Sequence, residues 1–211
     1  DPAEAHTAVR THRRHGTTTL MASLVSAPPN ELIDQMAALA ELVTDGELVG
    51  IHLEGPFISE ARCGAHDPAV LRDPDAEVVE ELLKAGRGNI RMVTLAPELA
   101  GGIEAVRRFS QDGVIAAVGH TDAVADQVRA AVDAGATLIG VNNRNLKTLD
   151  VDLGRFAELA ELAGNSTVRV AESGILSVDD AVRMRAAGAD AILVGELLVR
   201  SGDPLTAVAE L

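Results

Sequence analysis

The 211-residue chain has no tryptophan and no tyrosine, and phenylalanine occurs only at Phe57, Phe109 and Phe156. A hydrophobic content of 47% is still ample for a core, so that core must be built from Val, Leu, Ile and Ala. The single cysteine, Cys63, excludes an internal disulfide and fits a reducing compartment, so a cytoplasmic protein is expected. No apolar run reaches the ~20 residues that span a bilayer, and no secretory leader is visible. Positive charge is scarce: 18 Lys and Arg stand against 32 Asp and Glu, for a net charge of −14. That balance argues against nucleic acid or an anionic membrane as partner, and an acidic surface also serves solubility. Histidine is missing from the whole second part, because all six lie between His6 and His120.

What is present is a repeat of helix, glycine and short apolar run. Helical patterns are expected over Pro2–His15, Glu31–Asp45, Glu77–Ala85, Ile103–Asp112, Ala123–Ala134, Leu153–Ala163 and Val178–Ala187, each followed by a glycine. Ser177 before Val178-Asp179-Asp180 reads as an N-cap with an acidic first turn. Apolar runs follow at Thr17–Val25, Leu48–Leu53, Ile90–Leu95, Val114–Val118, Thr137–Val141, Val168–Ala171 and Ala191–Val194. Most lack strict alternation, which predicts strands buried on both faces of a parallel sheet. A last helix is expected over Pro204–Leu211, making eight helices and seven strands.

Alternating helix and strand predicts a parallel α/β fold, and a TIM-type (βα)8-like barrel is the expected architecture. Such barrels take ~250 residues, so the reading is one barrel-like domain over 1–211 with its first strand not represented. An open doubly wound sheet is the alternative, but no G-x-G-x-x-G follows the first strand to support a nucleotide site. Strands without a designed neighbour at the two ends of the order would expose unpaired edges, and a homodimer through them is one expected consequence.

His52 and Glu54 lie two apart at the end of a predicted strand, so they share a face. His120 ends another strand in the same way. Barrel active sites lie at the C-terminal ends of the strands, and a carboxylate with imidazoles suits a borderline cation such as zinc. On spacing alone, a buried, hydrogen-bonded role is the stronger reading of any one of these histidines. In the second part, Gly174 and Gly195 follow consecutive strands. There they could admit an anion to backbone N–H groups, with Ser173 adding a hydroxyl, or simply make tight turns.

Several motifs carry resemblances. His15-Gly-Thr-Thr-Thr19, His52-Leu-Glu-Gly-Pro-Phe57, Gly64-Ala-His-Asp-Pro68, Thr94-Leu-Ala-Pro-Glu98 and Gly119-His-Thr-Asp122 resemble N-acetylglucosamine-6-phosphate deacetylase of the amidohydrolase superfamily, over roughly 1–135. The resemblance implies a divalent metal, zinc or iron, on Glu54 and His120, with His66 near the sugar phosphate. His52 is a further candidate for the ion. The family also needs a histidine after the next strand and an aspartate after the last. Here those places read Gly140-Val141-Asn142 and Gly195-Glu196, so the implied metal site is partial.

Gly140-Val-Asn-Asn-Arg-Asn-Leu-Lys-Thr-Leu-Asp150, Arg169-Val-Ala-Glu-Ser-Gly-Ile175 and Ala189-Asp-Ala-Ile-Leu-Val-Gly-Glu196 look like the last third of indole-3-glycerol-phosphate synthase, over roughly 136–211. That implies Asn142 and Glu172 as catalytic groups facing the substrate. It also implies a phosphate held by Ser173, Gly174, Gly195 and the backbone of Glu196. Leu197 stands where the family has a small residue. The family's lysine acid should come from an earlier strand, whereas the two lysines here are Lys84, in a predicted helix, and Lys147, in a loop.

The sequence therefore reads as a chimera, strands two to five from one barrel family and six to eight from another, joined near Ala134-Gly-Ala-Thr137. Because both resembled families are barrels, the splice would keep strand order and put both sets of strand ends on one rim. The first expected function is an engineered scaffold without a complete parental site that retains binding of phosphate or a phosphorylated small molecule. A metal-dependent deacetylase and a synthase-type lyase remain as alternatives.

Overall fold

The computed structural model describes residues 2–145, 148–164 and 166–211. The chain divides into two compact units, Asp1–Ala136 and Thr137–Leu211. The boundary falls inside the segment 134–137.

The first unit alternates helix and strand: α1 (Pro2–Arg14), β1 (Ala22–Val25), α2 (Pro29–Thr44), β2 (Ile51–Glu54), α3 (Ala76–Gly86), β3 (Ile90–Leu95), α4 (Gly102–Gln111), β4 (Ile115–Val118) and α5 (Ala125–Ala134). The strands pair in parallel in the order β1-β2-β3-β4, with Val25 beside Glu54, Glu54 beside Thr94, and Leu95 beside Val118. This register puts the C-terminal ends of β2, β3 and β4 side by side. The second unit holds β5 (Leu138–Asn142), α6 (Gly154–Ala160), β6 (Val168–Glu172), α7 (Val178–Ala186), β7 (Ala191–Leu193), α8 (Glu196–Arg200) and α9 (Pro204–Glu210). Its strands are parallel in the order β5-β6-β7, with Asn142 beside Glu172. Seven parallel strands alternating with helices make a TIM-type α/β fold. Among the described residues no helix is long and apolar enough to cross a membrane.

Helix positions follow from apolar spacing. Val79, Leu82, Leu83 and Gly86 bury one stripe of α3, and Gly102, Ala105, Val106 and Phe109 bury one of α4, both at i, i+3, i+4, i+7. The aliphatic core includes Leu53, Leu82, Val93, Leu95, Ala116 and Val106, all fully buried, as are the three phenylalanines. Phe57 and Phe109 meet at a ring-centroid distance of 6.5 Å.

Three expectations need correction. Gly86 does not end its helix: α3 runs through it, and the left-handed turn falls on Arg87 and Gly88. Gly86 is there for space, because a Cβ would come within 2.6 Å of the Ile90 side chain. The helix expected over Leu153–Ala163 narrows to a 3-10 turn at Glu161–Ala163, and a short helix, α8, was not foreseen. Burial on both faces holds for β2 but not for β1 or β7, where Val25 and Leu193 are exposed. These are the first and last strands in their units' orders, so fewer neighbours cover them. The Ser177 cap is present: its side chain accepts from the Asp180 amide, and the Asp180 carboxylate accepts from the Leu176 amide.

Candidate functional site

Parallel strands of the first unit deliver β2 and β4 ends next to one another through β3. Glu54 is the last residue of β2, and His120 follows β4 by two residues. Between β2 and α3 the chain makes two 3-10 turns, Glu60–Arg62 and Pro68–Val70, and the irregular stretch between them carries His66. The three side chains converge. His120 Nε2 lies 3.2 Å from Glu54 Oε1, and His66 Nε2 lies 3.9 Å from the same oxygen. The two imidazoles meet edge to face at 5.1 Å. One ligand atom from each of Glu54, His66 and His120 falls within 4.8 Å of the others.

Hydrogen bonding decides which ring nitrogens are available. His120 Nδ1 is 2.9 Å from the Arg62 carbonyl, which can only accept, so Nδ1 carries a proton. In the neutral ring Nε2 then presents a lone pair to a carboxylate oxygen, two acceptors face to face. A shared proton or a cation resolves that repulsion. On His66, Nδ1 lies 2.8 Å from the Ser26 hydroxyl, which also reaches the Glu54 carbonyl at 3.3 Å. The Ser26 amide donates to this Nδ1 at 3.3 Å, so Nδ1 accepts and the proton of the neutral His66 ring sits on Nε2. Both Nε2 atoms face the Glu54 carboxylate, and of the two rings His120 has the Nδ1-to-carbonyl support usual for a metal-ligating histidine. One carboxylate oxygen and two imidazole nitrogens fit a divalent transition cation by donor type. His66, read from the resemblance as a residue near the sugar phosphate, therefore stands beside the expected pair. Its position in an irregular loop left no periodic signal.

His52 has a different role from the one considered for it. Its Nδ1 pairs with the Ser23 hydroxyl at 2.9 Å and its Nε2 with the Thr94 hydroxyl at 2.8 Å. Both nitrogens are used in tying β1, β2 and β3 together, so the buried, hydrogen-bonded reading holds.

The electrostatics follow from these contacts. When the His120 ring is protonated its Nε2–H donates to Glu54, and this bond holds the Glu54 carboxyl below its usual value, with partial burial opposing. Burial lowers the imidazole pKa of His52 and of His66, in each case against the attraction of Glu54. In the unfolded chain these histidines protonate near their ordinary value of about 6.5. Their lowered folded values mean that the unfolded state takes up more protons as pH falls through that point, so stability is lost there. Glu54 adds its own loss only at lower pH, as its carboxylate is protonated. Urea midpoints of the metal-free protein are therefore expected to fall between pH 7.5 and 5.5. Midpoints that stay level would contradict the burial of these two rings.

In the second unit, Asn142 and Glu172 are register neighbours at the ends of β5 and β6. Asn142 Oδ1 accepts from the Arg144 amide at 2.9 Å, so its side chain also shapes the turn that follows. Glu172 lies over Gly140, where a Cβ would collide with its carboxylate oxygen. Ser173 and Gly174 follow with φ of 65° and 76°. A left-handed serine is strained, and the turn is held by Asn143, whose amide donates to Glu172 O at 2.8 Å and whose Nδ2 donates to Ser173 O at 3.2 Å. A Cβ at Gly174 would run into Val151, which makes this glycine a packing requirement as well as a turn. Gly195 is the N-cap of α8 at an ordinary negative φ, with open space beside it. The Glu196 carboxylate is held by Arg144 at 3.4 Å and Arg200 at 3.0 Å. Lys84 is on α3 as expected; Lys147 lies outside the described residues.

Comparison with known proteins points to two families. The sequence profile of the indole-3-glycerol phosphate synthase family matches residues 122–211. The indole-3-glycerol phosphate synthase of Kineococcus radiotolerans is 39% identical over 178 residues, covering 83% of this chain and 63% of that protein. Among solved structures, the N-acetyl-D-glucosamine-6-phosphate deacetylase of Mycobacterium smegmatis superimposes with a TM-score of 0.72 at 39% identity, covering 86% of this chain and 48% of that one. A 3-hexulose-6-phosphate synthase, at 15% identity and a TM-score of 0.60 over 98% of this chain, shares the fold. The chain thus spans about half the length of the deacetylase and under two thirds of the Kineococcus synthase. It is similar in its C-terminal part to indole-3-glycerol phosphate synthases and in structure to N-acetylglucosamine-6-phosphate deacetylases, on a TIM-type α/β fold.

Proposed function

We propose that the first unit is a divalent-metal centre of deacetylase type, on a chain spliced from two barrel families, and that its chemistry is hydrolysis of the amide of a phosphorylated amino sugar. The convergence of Glu54, His66 and His120 carries this reading. These three residues would hold the ion. When bound, a divalent cation supplies polarisation of the amide carbonyl and acidification of water. His120 offers a neutral Nε2 because the Arg62 carbonyl accepts from its Nδ1, while His66 Nε2 would shed its proton to bind the ion. The likeness to the mycobacterial deacetylase, at 39% identity, supports the substrate class. Turnover also requires a group that moves the proton. Gly195-Glu196 stands where the family places its aspartate, so the expected activity is low.

The test is acetate release from N-acetylglucosamine 6-phosphate by zinc-loaded protein, with the Glu54→Gln variant as background. Release above that background supports hydrolysis. Stoichiometric zinc binding with no release would leave a metal-binding scaffold and remove the hydrolytic claim. The lyase reading is the weaker one, because the described lysine, Lys84, is exposed on a helix and not at a strand end. For the second unit, the consecutive left-handed residues Ser173 and Gly174 favour binding of a phosphate group at the end of β6.

A further inference from the structure

The residue that ends the β4 turn is held in an unfavourable backbone conformation. His120 has φ of 49°, a left-handed value that is unfavourable for a non-glycine residue. Three bonds from one 3-10 turn hold it there. The Ser59 amide donates to the His120 carbonyl at 2.9 Å, and His120 Nδ1 donates to the Arg62 carbonyl at 2.9 Å. The Arg62 side chain then reaches past His120 and donates from Nε to Asp122 Oδ1 at 2.5 Å. On the far side, the Glu98 carboxylate accepts from the Asp122 amide at 2.7 Å and from the Thr121 hydroxyl. The segment 120–122 is thus gripped between the loop after β2 and the loop after β3.

We infer that Arg62 and Asp122 are positioning residues for the metal centre: their ion pair locks the 3-10 turn so that the Arg62 carbonyl fixes the ring and tautomer of His120. The inference rests on the metal-binding reading above and extends it outward from the ligands. It separates affinity from stability. Arg62 and Asp122 are 31% and 40% exposed, and pairs this open to solvent add little to folding. Outer partners that orient a ligating histidine, by contrast, typically change metal affinity 10–100-fold.

The experiment is a double-mutant cycle on the whole chain with Arg62→Ala, Asp122→Ala and the double variant. It measures zinc affinity by competition with a chromophoric chelator, and the urea midpoint with chelator present. The nitrogen shifts of the His120 ring report its tautomer in the zinc-free protein. Each single variant is expected to bind zinc at least about 10-fold more weakly, and the double no more weakly than either single. Metal-free midpoints should be near wild type, with the Nδ1-protonated form of His120 diluted by the other tautomer. Wild-type zinc affinity in the single variants would overturn the inference. So would a metal-free midpoint that falls in step with affinity, since that marks a merely structural pair. If the wild-type chain binds no zinc, the metal reading itself fails, and that result is distinct from either.

Discussion

Replacing Phe109 by alanine is expected to remove about 3–5 kcal/mol of stability, measured by urea unfolding of the metal-free protein. The ring is fully buried on the inner stripe of α4 and meets Phe57 at 6.5 Å. The chain has only three aromatic residues, and Phe57 is the ring that meets Phe109. Domains are typically stable by only about 5–15 kcal/mol, so a loss of this size takes much of the margin. The effect should also reach the candidate site. Phe57 lies three residues beyond the end of β2, and its carbonyl accepts from the Ala96 amide at 2.8 Å. If Phe57 moves into the void, the loop that brings His66 to Glu54 moves with it. Weaker zinc binding is therefore expected alongside the lower midpoint. A loss under about 1 kcal/mol would show that the α4 stripe is not packed as described.

Glu54→Gln is expected to weaken zinc binding by at least about 100-fold while leaving the metal-free fold near wild type. The factor corresponds to about 2.7 kcal/mol of binding. Both histidine Nε2 atoms face the Glu54 carboxylate, so its charge is what draws a cation between them. Glutamine keeps the shape, and its amide N–H can donate to the neutral Nε2 of His120 across the same 3.2 Å. Metal-free stability should thus change by less than about 1 kcal/mol. Zinc at about 100 times its dissociation constant should add about 2.7 kcal/mol to wild-type stability, and the variant should lose that increment. The readouts are direct metal titration and the urea midpoint with and without zinc. A variant that still gains the full increment would mean that the ion binds elsewhere.

The repeat of helix, glycine and apolar run was enough to read seven parallel strands and a TIM-type fold, because both signals are local. Amphipathic spacing placed α3 and α4, and the Ser177 cap began α7 where expected. Boundaries slipped where tertiary packing overrode a local cue. Gly86 looked like a helix stop but is an internal space for Ile90. Glu54 and His120 were legible because strand ends carry chemistry in this fold. His52 shares the face of Glu54 in sequence terms, yet its nitrogens are consumed by Ser23 and Thr94, partners 29 and 42 residues away.

By itself, then, the sequence determined most of the secondary elements, the strand order within each unit, the change of character near residue 136 and two members of the metal-type cluster. These depend on periodicity and on residue type at strand ends. Only the tertiary structure decided that His66 joins Glu54 and His120, that His52 does not, and that the Arg62 carbonyl sets the tautomer of His120. Those facts are contacts between residues far apart in the chain: Ser23 and Thr94 lie 29 and 42 residues from His52, and Arg62 lies 58 from His120. No local pattern encodes such a distance; packing of the loops over the strand ends creates it.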